Sequence, residues 1–479
     1  MRAIHYYEKE RVFKLDTPHT SYLIGIVDDE KFLGHIYYGA KITDYDVRAL
    51  MRTGEAPFVP SQNDRDRSSF LDTFPMEYPG HGVGDYRESA IAVSDKNGNT
   101  AVQPLYREHR IYAGKTGLPG LPATFGSEEE CETLEIVLAD EVQDLTVTLC
   151  YTAFSDVDVI ARSVRVTNHA KEPVYLTKIF SAALDLDAED YRMLTLHGSW
   201  ARERQIEYRQ IGYGKQSVGS CRGESSHQEH PFVAQGRVYG FHFVYSGNFL
   251  AQVEKNQFDS LRVVMGIHPQ DFKWELKKGE TFTAPEVVMT YSDAGLGRMT
   301  RTLHDLYRKH LIRSPYKDRE RPVLINNWEA TYFDFDTEKL LAIAREAKKS
   351  GIEMLVMDDG WFGHRNDDNT SLGDWQVNEQ KITGGLKRLV DQVNEIGLKF
   401  GIWFEPEMIS PDSDLYRTHP DWAIALPGRT PCRSRNQYVL DLSRKEVRDY
   451  AYECVASILR SANIAYVKWD MNRQLTDLG

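Results

Sequence analysis

The sequence predicts two folds in tandem, an N-terminal β-sandwich followed by the first half of a (β/α)8 barrel. Three observations carry this. Up to about residue 295, short alternating or β-branched segments recur between turn residues, as in Leu145-Thr146-Val147-Thr148-Leu149, Ser163-Val164-Arg165-Val166-Thr167 and Phe241-His242-Phe243-Val244-Tyr245. After Pro322 near-continuous apolar strands alternate with amphipathic helices, the pattern of a parallel sheet covered on both faces. Acidic and aromatic residues gather just beyond those strands, as at the C-terminal face of a barrel, and no Gly-rich phosphate turn of a doubly wound sheet follows any of them.

In the first region, Asn168-His169-Ala170-Lys171-Glu172-Pro173 reads as a turn between strands, and Leu303, Leu306, Tyr307 and Leu311 fall at helical spacing in a closing helix. Ser314-Pro315 through Arg321-Pro322 reads as the connection, which gives a sandwich domain over 1–319 and a barrel segment over 320–479. Val323–Trp328 is the first apolar strand. Thr337 is expected to cap a helix carrying Leu340, Leu341, Ile343, Ala344 and Ala347 that Gly351 ends. Ile352–Met357 is the second strand. A helix with Leu386, Leu389, Val390, Val393 and Ile396 stops at Gly397, and Leu398–Phe404 follows as the third strand. Val447, Tyr450, Ala451, Cys454, Val455, Ile458 and Leu459 mark a third helix, and Ile464–Val467 the fourth strand. Four strand–helix units make half a barrel with two open edges, so the chain is expected to be an N-terminal fragment.

Composition narrows the function. The 479 residues carry a formal net charge of −13, which repels phosphate backbones and argues against nucleic-acid partners. No apolar run approaches the roughly 18 residues of a membrane span, and the N-terminus has no apolar leader core, so no membrane partner is expected. The five cysteines are scattered without a CxxC pair, which fits a reducing, cytoplasmic setting.

The chemistry gathers at the strand ends. They read Asn326-Asn327-Trp328-Glu329, Met357-Asp358-Asp359-Gly360-Trp361, Trp403-Phe404-Glu405-Pro406-Glu407 and Lys468-Trp469-Asp470-Met471-Asn472-Arg473. Carboxylates accept paired bonds from vicinal hydroxyls, and indole faces pack on the C–H face of a sugar ring. Six of the eight tryptophans (328, 361, 375, 403, 422 and 469) lie in the last third of the chain, which favours a sugar-stacking platform over core filling. Asp470 is the nucleophile candidate, with Lys468 on the same face to keep it ionised; a plain Lys–Asp ion pair is the alternative. Asp358-Asp359 reads as hydroxyl recognition or as a Mg²⁺ or Ca²⁺ site, although no further oxygen ligands recur at a regular spacing, so no metal is assigned. Arg435 holds a hydroxyl, orients a carboxylate, or is simply solvated. His364 and His419 lack the partner spacing of a triad or zinc site.

Long motifs then point to a family. Leu355-Val356-Met357-Asp358-Asp359-Gly360-Trp361-Phe362-Gly363, Trp403-Phe404-Glu405-Pro406-Glu407-Met408, Arg435-Asn436-Gln437 and Tyr466-Val467-Lys468-Trp469-Asp470-Met471-Asn472-Arg473 closely resemble the α-galactosidases of glycoside hydrolase family 36. The first region matches too, in Leu71-Asp72-Thr73-Phe74-Pro75-Met76-Glu77-Tyr78-Pro79, Gly84-Asp85-Tyr86-Arg87 and Gly198-Ser199-Trp200-Ala201-Arg202-Glu203.

That resemblance implies a retaining α-galactosidase acting on terminal α-galactose in oligosaccharides of the melibiose and raffinose type, with no cofactor. Retention uses two carboxylates about 5–5.5 Å apart. By the family motif Asp470 is the nucleophile and Asp358 and Asp359 bind the far hydroxyls. Trp403, Arg435, Lys468 and Asn472 complete the pocket wall, and Trp328 stands at its mouth. In tetrameric members a neighbouring N-terminal domain reaches the site; Arg67 and Trp200 match positions with that role and Glu55 stands where some members carry Asp, so a homo-oligomer is expected. The family's acid/base carboxylate and the loop beside the sugar 2-position match nothing up to Gly479, so this chain alone is expected to be inactive. An α-N-acetylgalactosaminidase, a galactosyl-transferring synthase on the same scaffold, and a non-catalytic sugar-binding fragment are the alternatives.

Overall fold

A computed structural model describes residues 3–27, 30–43, 51, 70–225, 227–235 and 237–476. The chain divides into two compact units, Met1–Lys317 and Asp318–Gly479.

Among the described residues the first unit is built from three antiparallel sheets. A four-stranded meander runs through Ile4–Tyr7, Val12–Asp16, Thr20–Ile26 and Leu33–Ala40. The long strands Leu145–Phe154 and Val159–Asn168 lie in a ten-stranded sheet, and Val174–Asp187 lies in a six-stranded one. Successive side chains of a strand point to opposite faces, and inward residues of the three sheets (Leu134, Ile136 and Leu138 from one, Ile179, Ala183 and Val263 from another, Phe13, Tyr22 and Ile24 from the third) meet in one buried cluster. The closing helix Gly295–His310 buries Met299, Leu303 and Leu306 against Val159 and Val288.

Two ionic groups sit inside this apolar core. Glu77 accepts from the hydroxyls of Tyr22 and Tyr151, both at 2.7 Å, and pairs with Arg162 at 3.1 Å. Arg262 is forked on Asp185 at 2.7 and 2.6 Å and reaches Asp85 at 2.8 Å, while Arg87 bridges the same two aspartates. Burial pushes the Asp85 carboxyl up, and the adjacent Arg262 and Arg87 more than offset it, leaving it below its usual range. The motif residues Glu77, Asp85 and Arg87 therefore hold sandwich strands together.

In the second unit four strands, Leu324–Asn326, Met354–Met357, Lys399–Phe404 and Tyr466–Trp469, pair in parallel in simple sequence order. A doubly wound sheet would reverse direction at a switch point; an unbroken order is the barrel pattern. The register, with Asn326 opposite Val356, Val356 opposite Gly401 and Trp403 opposite Lys468, divides the sheet into two faces. Ile325, Leu355, Met357, Phe400, Ile402, Phe404 and Val467 point to the helix side and join the helices in one apolar cluster. The opposite face carries Asn326, Trp403 and Lys468, and the same alternation continues into Asp358 and Asp470.

Helices Thr337–Lys349, Leu386–Ile396 and Lys445–Ser461 cover the apolar face. The first is capped by Asp336, whose carboxylate accepts from the Lys339 N–H at 2.8 Å, and not by Thr337, which is already the first helical residue. Gly397, at φ 90°, ends the second helix in the left-handed conformation that a side chain would resist. No helix among the described residues is long and apolar enough to cross a membrane.

Candidate active site

The residues just past the four strand ends form two hydrogen-bonded groups. The first centres on Asp358, which is buried. Its Oδ2 accepts from Asn326 Nδ2 at 2.5 Å and from Lys468 Nζ at 2.8 Å; its Oδ1 accepts from the Asp359 N–H at 2.9 Å. Its own N–H donates to Asn327 Oδ1 at 2.8 Å, so strands one, two and four converge on a single carboxylate.

This overturns one expectation. Lys468 was assigned to keep Asp470 ionised, but its ammonium reaches over the third strand to Asp358. The alternation did put Lys468 and Asp470 on one face; a four-carbon stem lets Nζ pair with a charge two strands away instead.

Asp359 turns elsewhere. Arg365 grips it with Nε at 3.0 Å and Nη2 at 2.9 Å, and both side chains are buried. Burial pushes the Asp359 carboxyl above its usual range; Arg365 opposes this and the Asp358 charge adds to it. Lys381 ties the same loop down, donating to the carbonyls of Phe333, Gly360 and Arg365, each at 3.0 Å. Gly360, at φ 104°, makes the turn that carries the chain away from the strand.

The second group centres on Asp470, whose N–H donates to Phe404 O at 2.8 Å as the sheet ends. Its Oδ2 accepts from Trp403 Nε1 at 3.0 Å and from Asn472 Nδ2 at 2.8 Å. Its Oδ1 takes no hydrogen bond among the described residues. One oxygen is held and the other is free, which is the arrangement a carboxylate nucleophile needs. Behind Asp470 lies Glu405, fully buried. It accepts from the Asn472 N–H at 2.5 Å, from Asn472 Nδ2 at 3.2 Å and from Gln437 Nε2 at 3.0 Å. Burial, with a contribution from the Asp470 charge and opposed by the Asn472 and Gln437 hydrogen bonds, pushes its carboxyl up to about 7.

The other expected residues are scattered. Trp328 is half-buried at the first strand end, edge-on to Tyr332 and Phe333 at 5.3 and 5.0 Å. Arg435 is exposed in a left-handed turn (φ 51°) and bonds to none of these carboxylates among the described residues. Trp200 stands at a hairpin tip of the first unit, 82% exposed. Glu55 and Arg67 lie outside the described residues.

The stacking platform is also corrected. Trp361, Trp375 and Trp403 are packed in the apolar cluster of the second unit with Phe362 and Phe404, and Trp361 spends its N–H on Trp403 O at 3.0 Å. Trp422 stacks on His419 at 4.1 Å. Of the six, only Trp469 is strongly exposed, and its N–H donates to Glu407 at 2.8 Å. Sequence reasoning passed over Asn326, Arg365, Glu405 and Gln437. The signal for Glu405 was its place at a strand end; Arg365 was a lone cation in an acidic loop.

The signature of the glycosyl hydrolase family 36 N-terminal domain spans residues 31–277, and that of melibiase spans residues 281–479. The chain belongs to glycosyl hydrolase family 36. It is 50% identical over 488 aligned residues to alpha-galactosidase AgaA of Geobacillus stearothermophilus, a match covering 100% of this chain and 67% of AgaA. The crystal structure of the alpha-galactosidase AgaB of the same organism superposes with a TM-score of 0.96 at 49% identity, over 100% of this chain and 67% of that one. A variant of AgaA crystallised with raffinose gives a TM-score of 0.95 at 49% identity, over 98% of this chain and 66% of that one. The chain thus spans about two thirds of the length of these family 36 relatives.

Proposed function

We propose that this chain is the sandwich and nucleophile-bearing part of a retaining α-galactosidase that acts on galacto-oligosaccharides of the raffinose type. The observation that carries the reading is the Asp470 carboxylate, with Oδ2 fixed by Trp403 and Asn472 and Oδ1 left unbonded. In this reading Oδ1 attacks the anomeric carbon as the glycosidic C–O bond breaks, and the leaving-group oxygen takes a proton from the acid/base carboxyl of the full-length enzyme. Water, deprotonated by that same group, then cleaves the galactosyl ester with net retention. Asp358 accepts from sugar hydroxyls, and its bonds from Lys468 and Asn326 hold it in place. Asp359, held by Arg365, walls the same corner. Trp328, Trp403, Arg435 and Asn472 complete the wall, with Glu55, Arg67 and Trp200 contributed by a neighbouring copy in a homo-oligomer. The names of the relatives and the raffinose complex of AgaA support the substrate class.

The chain alone is proposed to lack turnover. Among the described residues Glu405, which shares Asn472 with Asp470, and Asp358, at the neighbouring strand end, are each buried with both oxygens occupied, and neither is placed to protonate a leaving group. Absence of a general acid removes a contribution of roughly 10²–10⁴-fold. A cytoplasmic setting is proposed on the five free cysteines.

The deciding experiment is Asp470→Asn in the full-length enzyme that carries this chain. A labelled 2-fluoro-galactoside should mark the wild type at this aspartate and leave the variant unmarked. Equal labelling of the two proteins would sink the assignment.

A further inference from the structure

Glu405 is a carboxyl that the mechanism above does not use, and a single bridging residue, Asn472, separates it from the Asp470 carboxylate on which the mechanism depends. Three donors converge on its two oxygens: the Asn472 N–H on Oε1 at 2.5 Å, and Asn472 Nδ2 and Gln437 Nε2 on Oε2 at 3.2 and 3.0 Å. The same Asn472 amide donates to Asp470 Oδ2 at 2.8 Å. Asn472 therefore bridges the two carboxyls, and its backbone and side chain are both anchored on Glu405. An amide has two N–H donors in one plane, so fixing one on Glu405 fixes the direction of the other.

We propose that Glu405 is a positioning residue for Asp470, locking the Asn472 amide so that it holds Oδ2 and leaves Oδ1 aimed for attack. This rests on the reading of Asp470 as the nucleophile. Glu405 is not itself the acid catalyst: it is fully buried, and all three of its contacts are to protein donors. Burying a carboxyl is costly, and a cost kept at this place is intelligible if the group orients a reacting neighbour.

Replacing Glu405 by Gln keeps the shape but turns one acceptor into a donor that faces a donor. Asn472 then loses one anchor, and Asp470 gains rotational freedom. Misplacing a reacting group by about 1 Å costs on the order of 10²-fold in rate. In the full-length enzyme, Glu405→Gln should lower kcat 10- to 100-fold, slow covalent labelling by the fluoro-galactoside by the same factor, and leave KM within about threefold. The double variant with Asn472→Ala should be no slower than Asn472→Ala alone, because both act through one bridge. If Glu405→Gln does not fold, Gln437→Leu removes one donor while keeping the carboxyl, and should lower kcat three- to tenfold at unchanged KM.

The outcomes separate the two ideas. Wild-type kcat in Glu405→Gln, or in Gln437→Leu where the first is unfolded, overturns the positioning role. Multiplicative effects in the double variant overturn it as well. An active Asp470→Asn control overturns the nucleophile assignment on which it rests.

Discussion

The buried carboxyl of Glu405 makes a prediction about stability that is independent of turnover. Its ordinary value of 4.5 is pushed up to about 7 in the folded protein. Between those values the folded state holds a proton that the unfolded chain has released. Stability contributed by this group is therefore greatest below about pH 4.5, falls as pH rises through the window, and levels off above about 7. A shift of about 2.5 units corresponds to roughly 3 kcal/mol, with no solvent discount because the side chain is fully buried. Glu405→Gln has no proton to exchange. On going from pH 7.5 to pH 4.5 the wild type should gain roughly 3 kcal/mol over the variant. Urea titrations followed by tryptophan fluorescence report mainly on this unit, since six of the eight tryptophans lie in it. Taking the difference between the two proteins cancels carboxyls that both retain, such as Glu407, also raised by burial, and Glu88, held at about 2 by Lys178 and Lys215 despite its burial. The Asp470 charge contributes to the shift, so the gap should shrink in an Asp470→Asn background. A difference that stays constant within about 1 kcal/mol from pH 4.5 to 7.5 would refute the reasoning.

Other consequences follow from single contacts. Arg262→Met leaves Asp85 and Asp185 with Arg87 as their one arginine partner among the described residues and should destabilise the first unit by about 3–5 kcal/mol, read as a lower urea midpoint by circular dichroism; a loss under about 1 kcal/mol contradicts it. Trp361→Ala removes a fully buried indole and its N–H bond to Trp403 O, and should cost the second unit about 3–5 kcal/mol in the same fluorescence titration. Lys468→Met strips Asp358 of its cation; in the full-length enzyme KM for melibiose should rise about tenfold or more, equivalent to about 1.4 kcal/mol of binding, and an unchanged KM would count against Asp358 as a hydroxyl ligand.

Much of the fold was legible because it rests on local periodicity. Largely apolar runs became parallel strands of three to six residues, and the glycine at 397 ended its helix where the left-handed turn requires one. The nucleophile candidate and the Asp358 carboxylate were legible as strand-end acids. What stayed hidden depends on contacts between distant segments. Glu405 and Glu407 look alike in sequence; Glu405 lies against Asp470 only because Gln437 and Asn472, 32 and 67 residues further on, fold back over it. Lys468 belongs to Asp358 by the reach of its side chain, which a two-residue alternation cannot register. The tryptophans misled for a related reason: an indole wanted for stacking and one wanted for core packing read the same until burial is known, and Trp361 and Trp375 are core.

Trp403 shows how the two uses meet in one side chain. Its ring packs with Phe362 and Trp375 in the apolar cluster, while its N–H reaches Asp470 at 3.0 Å. A residue locked by dense packing has few rotamers available, so the hydrogen bond it presents is fixed in direction at little further entropic cost. Asn472 supplies the second bond, but it lies past the end of the fourth strand with no packed ring to hold it, and it borrows its rigidity from Glu405. The two donors on Oδ2 are thus immobilised by different means, one by the hydrophobic core and the other by a buried carboxyl. Both supports come from the third strand and the residue that follows it, so the register between strands three and four, with Trp403 opposite Lys468 and Phe404 opposite Trp469, is what sets the Asp470 carboxylate. A slip of one residue would turn Asp470 to the helix face and leave Trp403 and Glu405 without a partner there.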